Sequence, residues 1–145
     1  MATRRASRER ALQALYQADM READEGPASL PLFWEHFDQD EEPDAFAREL
    51  VAGVLAERER VDALIAASAE HWRLPRLSRV DLNVLRLATY ELIGRPEIPS
   101  SVTIDEAIEI ARRFGSEESA AFVNGVLDHI AGELGVRDRR TVETK

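Results

Sequence analysis

The chain has 145 residues, 28 acids against 19 lysines and arginines, a formal net charge of -9 and no cysteine. That length fits one domain. The missing thiols exclude disulfides, cysteine-ligated zinc and cysteine nucleophiles, and the acidic total argues against a protein that coats nucleic acid without selection. The charge is uneven, however. Residues 22–47 hold nine acids and no Lys or Arg, equal to the whole net charge, whereas the chain starts on Arg4, Arg5, Arg8 and Arg10. No apolar run of eighteen residues occurs and no apolar segment follows the charged start. The expectation is a soluble, cytoplasmic protein without signal peptide or membrane span.

Taken in chain order, the pattern is helical: Ala, Leu, Glu and Arg abound, and β-branched alternation is nearly absent. A first helix over about 4–21 places Leu12, Leu15 and Tyr16 on one face, and Gly26-Pro27 ends the connection after it. A short helix over 31–37 follows, anchored by Leu32, Phe33 and Phe37. Pro43 suits the first turn of the next, with Glu41, Glu42 and Asp44 at its positive end. Phe46, Leu50, Val54, Val61, Leu64 and Ile65 then recur at helical spacing to Ser68, with a break predicted near 57–60. Ser78 to Asp81 reads as a capping box opening a helix to Ile93 that is apolar nearly all round, which places it centrally. Gly94, Pro96 and Pro99 stop it; Thr103 to Glu106 reads as a second capping box; Gly115 ends that helix, Ser116 caps the last one, and Gly135 closes it. The expected fold is all-α: about seven helices in one domain over 1–145, packed as two small bundles (1–73 and 74–135, with the seam near 74–77) and a polar tail over 136–145.

No phosphate loop, nucleophile elbow or zinc-type histidine pair is present, so no enzymatic chemistry, cofactor or metal is expected. His36, His71 and His129 lack ligand spacing, and Glu106 with Glu109 reads as an ordinary solvated helix face. The arginines of the first helix are less ordinary. Arg4, Arg5 and Arg8 fall on the same stripe as Leu12, Leu15 and Tyr16. A stripe that buries leucine cannot bury unpaired guanidinium, so these arginines are expected at a rim beyond the core, where forked donors suit phosphate. Phe114 reads as core; Phe122, one position before the core residue Val123, is a candidate for base stacking. Gly125 inside a helix costs about 1 kcal/mol against Ala. Tight helix packing is the favoured reason for it, and Asn124 beside it offers donors and acceptors.

Four segments together resemble the NusB family: Arg8 to Tyr16, Leu50 to Val54, Asp81 to Leu92, and Ile104 to Gly115 followed by Phe122 to Asp128. The likeness runs from about residue 4 to 134. It implies a transcription antitermination factor that binds the boxA element of nascent RNA, such as ribosomal RNA leaders. It also implies two partners, the small-subunit ribosomal protein NusE and the antitermination complex on RNA polymerase. By position it implies RNA contacts at Arg4, Arg5, Arg8, Arg86, Phe122 and Asn124, an acidic neighbour at Glu118, and partner contacts at Tyr16 and Asp81. Ala6 and Ser7 interrupt the arginine cluster, and the acidic stretch exceeds the family's pattern. A homodimer is compatible with the likeness. Two other readings fit the same residues. One is a protein–protein interaction module that binds no RNA. The other is a detached targeting domain of an RNA cytosine methyltransferase, for whose enzyme the chain has neither room nor cysteine.

Overall fold

A computed structural model of the chain describes residues 3–21, 26–37, 44–69 and 77–137. Among these are seven α-helices: α1 (Arg4–Asp19), α2 (Leu30–Phe37), α3 (Ala45–Ala56), α4 (Arg58–Ser68), α5 (Arg79–Gly94), α6 (Ser100–Phe114) and α7 (Ser119–Leu134). A 3-10 turn over Pro27–Ser29 leads into α2. Pro43, Glu41, Glu42, His71, residues 74–76 of the seam and the tail beyond 137 lie outside the described residues.

Local chemistry sets most boundaries. The Thr3 hydroxyl accepts from the Ala6 amide, the Asp44 carboxylate from Ala47 and the Ser78 hydroxyl from Asp81, each covering an amide that the first helical turn leaves unpaired. α3 and α4 part at Glu57, inside the predicted break. Gly135 adopts φ 71°, a left-handed C-terminal stop for α7 that glycine enters without a Cβ penalty. One capping prediction is overturned. α6 starts at Ser100, and Thr103 is buried inside it, because its hydroxyl is used elsewhere in the core. Ser116 likewise does not cap α7 directly: Ser119, its first residue, turns its hydroxyl back to the Ser116 amide.

α5 is the hub. It packs on α1, α3 and α4 on the N-terminal side of the seam and on α6 and α7 on the other. Its Leu82, Val84, Leu85, Leu87, Ala88 and Leu92 join a contiguous core with Leu12, Leu15, Leu50, Val54, Val61, Ile65, Ile104, Ile110, Val123, Leu127 and Ile130. α3 approaches α5 closely at Gly53, where an added Cβ would lie 2.0 Å from the Tyr90 ring. In α2, Leu30, Phe33 and Trp34 face inward, while Leu32, an expected anchor, is 71% exposed. The turn of the helix puts it opposite Phe33 and Trp34, which meet edge to face at 5.2 Å. No helix among the described residues is long and apolar enough to cross a membrane.

Candidate nucleic-acid interface

The first turns of α1 carry the arginines, and the structure separates them by depth. Arg4 is exposed, its guanidinium 4.4 Å from the centroid of the Phe46 ring. Arg5 is also exposed and forms a two-point pair with Glu106 on α6: Nε to Oε1 at 2.9 Å and Nη2 to Oε2 at 2.8 Å. That pairing raises the Arg5 pKa further. The same hydrogen bond holds the Glu106 carboxyl below the usual range; partial burial works the other way, and the charges of Arg5 and Arg8 add to the lowering. Phe46 also meets Arg95, which pairs with Glu49 and Glu97.

Arg8 corrects the rim expectation. Its side chain is 6% exposed and donates from Nε and Nη2 to both oxygens of Glu91 on α5 at 2.8 and 2.7 Å, with Glu91 itself 1% exposed. The Thr103 hydroxyl donates to the same carboxylate at 2.6 Å. The stripe therefore does bury a guanidinium, because the charge is paired and hydrogen-bonded. Arg86 is buried too. It donates to Asp62 on α4 at 2.8 and 3.1 Å and lies 3.5 Å from Asp19 on α1. Neither residue offers its fork to solvent. Burial would raise the Asp19 carboxyl pKa, but the Asn83 amide and the charges of Arg86, Arg79 and Arg58 outweigh it and hold the carboxyl below its ordinary value.

On α7, Phe122 is half-buried against the core and Asn124 is exposed. Gly125 overturns the packing expectation: it is exposed, and an added Cβ would meet nothing within 4 Å. Glu118 stands exposed just before α7 and accepts from the Ser116 hydroxyl at 3.2 Å. α6 links this region to α1, packing along α7 while Glu106 and Arg113 reach Arg5 and Glu9. Phe114 at its end is not a closed core residue; it is 37% exposed beneath the Arg113 guanidinium.

Phe114 also lines an open groove of about 490 Å³ with Leu12, Gln13, Tyr16, Phe33 and Val80. Tyr16 is 38% exposed here rather than closed into the core. Asp81, next to Val80, has its backbone amide bound by Ser78 and its Oδ1 buried without a hydrogen-bond partner. Tyr16 therefore shares the groove with Val80, the residue before Asp81, while Asp81 itself does not line it. His129 bonds the Ser68 hydroxyl at 2.8 Å, tying α7 to α4, and His36 is exposed on α2.

The sequence profile of the NusB family matches residues 5–132. The chain belongs to the NusB family. Curated NusB relatives named as transcription antitermination proteins include one from Geobacter sp. (strain M21), 49% identical over 142 residues, spanning 92% of this chain and 97% of the relative. Another, from Myxococcus xanthus, is 51% identical over 138 residues, spanning 92% and 98%. The solved NusB of T. maritima superposes with TM-score 0.82 at 43% identity over 91% of this chain and 92% of its own. A crystal structure of antitermination factors NusB and NusE in complex with double-stranded RNA gives TM-score 0.76 at 26% identity, covering 90% and 96%. These curated NusB names describe a transcription factor and not an enzyme.

Sequence reasoning passed over Glu91 and gave Thr103 and Glu106 other roles, a helix cap and a solvated face. The signal was present for the first. An acid deep inside a helix apolar nearly all round, beyond its first turn, requires a buried cation, and the arginine stripe of α1 was the cation without a place.

Proposed function

We propose that the chain is a cytoplasmic transcription antitermination factor that binds boxA RNA together with NusE and joins the antitermination complex on RNA polymerase. The observation that carries this is near-full-length likeness, about half the residues identical, to proteins that bear that name. The complex of a structural neighbour with NusE and RNA agrees with it.

Arg4 and Arg5 supply phosphate contacts, since their side chains are exposed at the start of α1 whereas Arg8 is buried. Phe122 offers a partly exposed ring for stacking and Asn124 an exposed hydrogen-bonding amide nearby in the helix. Glu118 borders that surface. Arg8 and Arg86 serve from behind, fixing α1 and α4 against α5 through Glu91, Asp19 and Asp62. The groove at Tyr16, with Asp81 at its margin, receives NusE. It is concave and mostly apolar, lined by Leu12, Tyr16, Phe33, Val80 and Phe114, which suits an apolar partner surface.

Filter binding with boxA RNA and a scrambled RNA of equal length, with and without NusE, tests the reading. Selective retention of boxA, strengthened by NusE, is the expected result. Equal or absent retention of both RNAs in the presence of NusE would leave a protein-binding module in its place.

A further inference from the structure

We propose that Glu106 is an affinity-setting residue: it occupies the Arg5 fork in the free protein, RNA phosphate displaces it, and Arg8 keeps the released carboxylate satisfied. The inference rests on the RNA-binding reading above and concerns how that site is regulated.

Both Glu106 oxygens are engaged by Arg5, in the planar two-point geometry that a phosphate would also adopt. A phosphate cannot use that fork while the carboxylate holds it. The pair sits at the rim, with Arg5 56% exposed and Glu106 18%, so exchange needs no opening of the core. The second cation makes the exchange feasible. Arg8 Nη1 lies 3.9 Å from Glu106 Oε1, and Arg8 is itself clamped by Glu91, which Thr103 also holds. Thr103, Glu91, Arg8, Glu106 and Arg5 thus form a chain of polar contacts from the core to the surface, with only its last member free to leave. When Arg5 turns outward, Glu106 is not stranded beside apolar surface; the fixed Arg8 remains within reach.

The arrangement has a consequence for absolute affinity. Any phosphate that uses the Arg5 fork must displace the same carboxylate, so binding of boxA and scrambled RNA is lowered alike and their ratio is unchanged. Glu106 therefore acts as a threshold on the electrostatic part of binding, which carries no sequence information.

The test is a cycle of four full-length proteins: wild type, Glu106→Gln, Arg5→Ala and the double variant. Each is titrated with boxA RNA and with scrambled RNA at low salt in the presence of NusE. Thermal melts confirm that each is folded. Glu106→Gln should tighten both RNAs about two- to fivefold, the range of an exposed ion pair. The gain should vanish in the Arg5→Ala background. Glu106→Asp, which keeps the charge but is too short to meet the fork squarely, should give a smaller gain through the same dependence on Arg5. A gain of equal size without Arg5 would show general charge repulsion and overturn the exchange. Unchanged or weaker binding by folded Glu106→Gln would overturn it as well. If wild type and all variants fail to bind either RNA, the functional reading itself falls, and this inference with it.

Discussion

Replacing Arg8 with Ala separates a structural arginine from an RNA-contacting one. In the intact protein its two donors meet both oxygens of Glu91, which is almost fully buried on the central helix. Removing the guanidinium leaves that carboxylate with the Thr103 hydroxyl as its remaining close donor and no charge partner except distant ones. Breaking a buried pair from one side costs about 3–5 kcal/mol, because the stranded charge keeps its desolvation penalty. For a chain of this length, about 3 °C of melting temperature corresponds to 1 kcal/mol, so the melt should fall by about 10–15 °C. Arg5→Ala is the control. Its exposed pair with Glu106 should contribute less than about 1 kcal/mol. Circular dichroism at increasing temperature and urea titration measure both. Arg8→Met combined with Glu91→Leu should recover much of the loss, since replacing both members of a buried pair by apolar groups is often neutral. An Arg8→Ala protein within about 1 kcal/mol of wild type would refute the assignment of Arg8 to the core.

Other outcomes follow from the same structure. Gly125→Ala should stabilise the protein by about 1 kcal/mol, since the new methyl meets open space and alanine favours helix; a lower melting temperature would contradict that placement. Phe122→Ala should weaken RNA binding by about 1–3 kcal/mol if the ring stacks on a base, whereas a loss of about 3–5 kcal/mol in folding with unchanged RNA affinity would return it to the core. Glu118→Gln should bind RNA more tightly at low salt, with the gain shrinking as salt screens the charge; weaker binding by the folded variant would make Glu118 a contact. The depressed Asp19 carboxyl contributes stability that is fully present above the ordinary aspartate value of about 3.9 and is lost as pH falls through it toward the lower folded value. Urea midpoints between neutral and acid pH should therefore fall less steeply in Asp19→Asn than in wild type, and equal slopes would remove Asp19 from the acid response.

Helices were readable because each reports locally. The apolar period, the Ser78 cap, the break at Glu57 and the stops at Gly115 and Gly135 all act within a turn or two of themselves. The Thr103 box failed because a hydroxyl can serve a distant carboxylate as well as a nearby amide, and Glu91 lies on another helix. Arg8 was misplaced for the same reason: its partner is 83 residues away, and single-helix geometry cannot show a pair that closes across the fold. Tyr16 shares the stripe of Leu12 and Leu15, yet it lines an open groove, because period sets direction but not what stands opposite. Gly125 showed the limit from the other side. A helical glycine announces that something is unusual, and the empty space above it removes packing as the reason.

The two buried ion pairs between α1 and α5 have opposite sense. α1 offers a cation at its start, Arg8 to Glu91, and an anion at its end, Asp19 to Arg86. Leucines and alanines along the same contact would tolerate α1 docked either way round, since apolar attraction has no direction. Charges do. With α1 turned end for end, Arg8 would approach Arg86 and Asp19 would approach Glu91, setting like charges together where little water is present to screen them. The first helix thus carries its own polarity label, written in residues that look from the sequence like a basic tip and an acidic tail. The label fixes which end of α1 reaches the solvent rim, and so determines that Arg4 and Arg5 emerge beside α6 rather than at the opposite pole of the molecule.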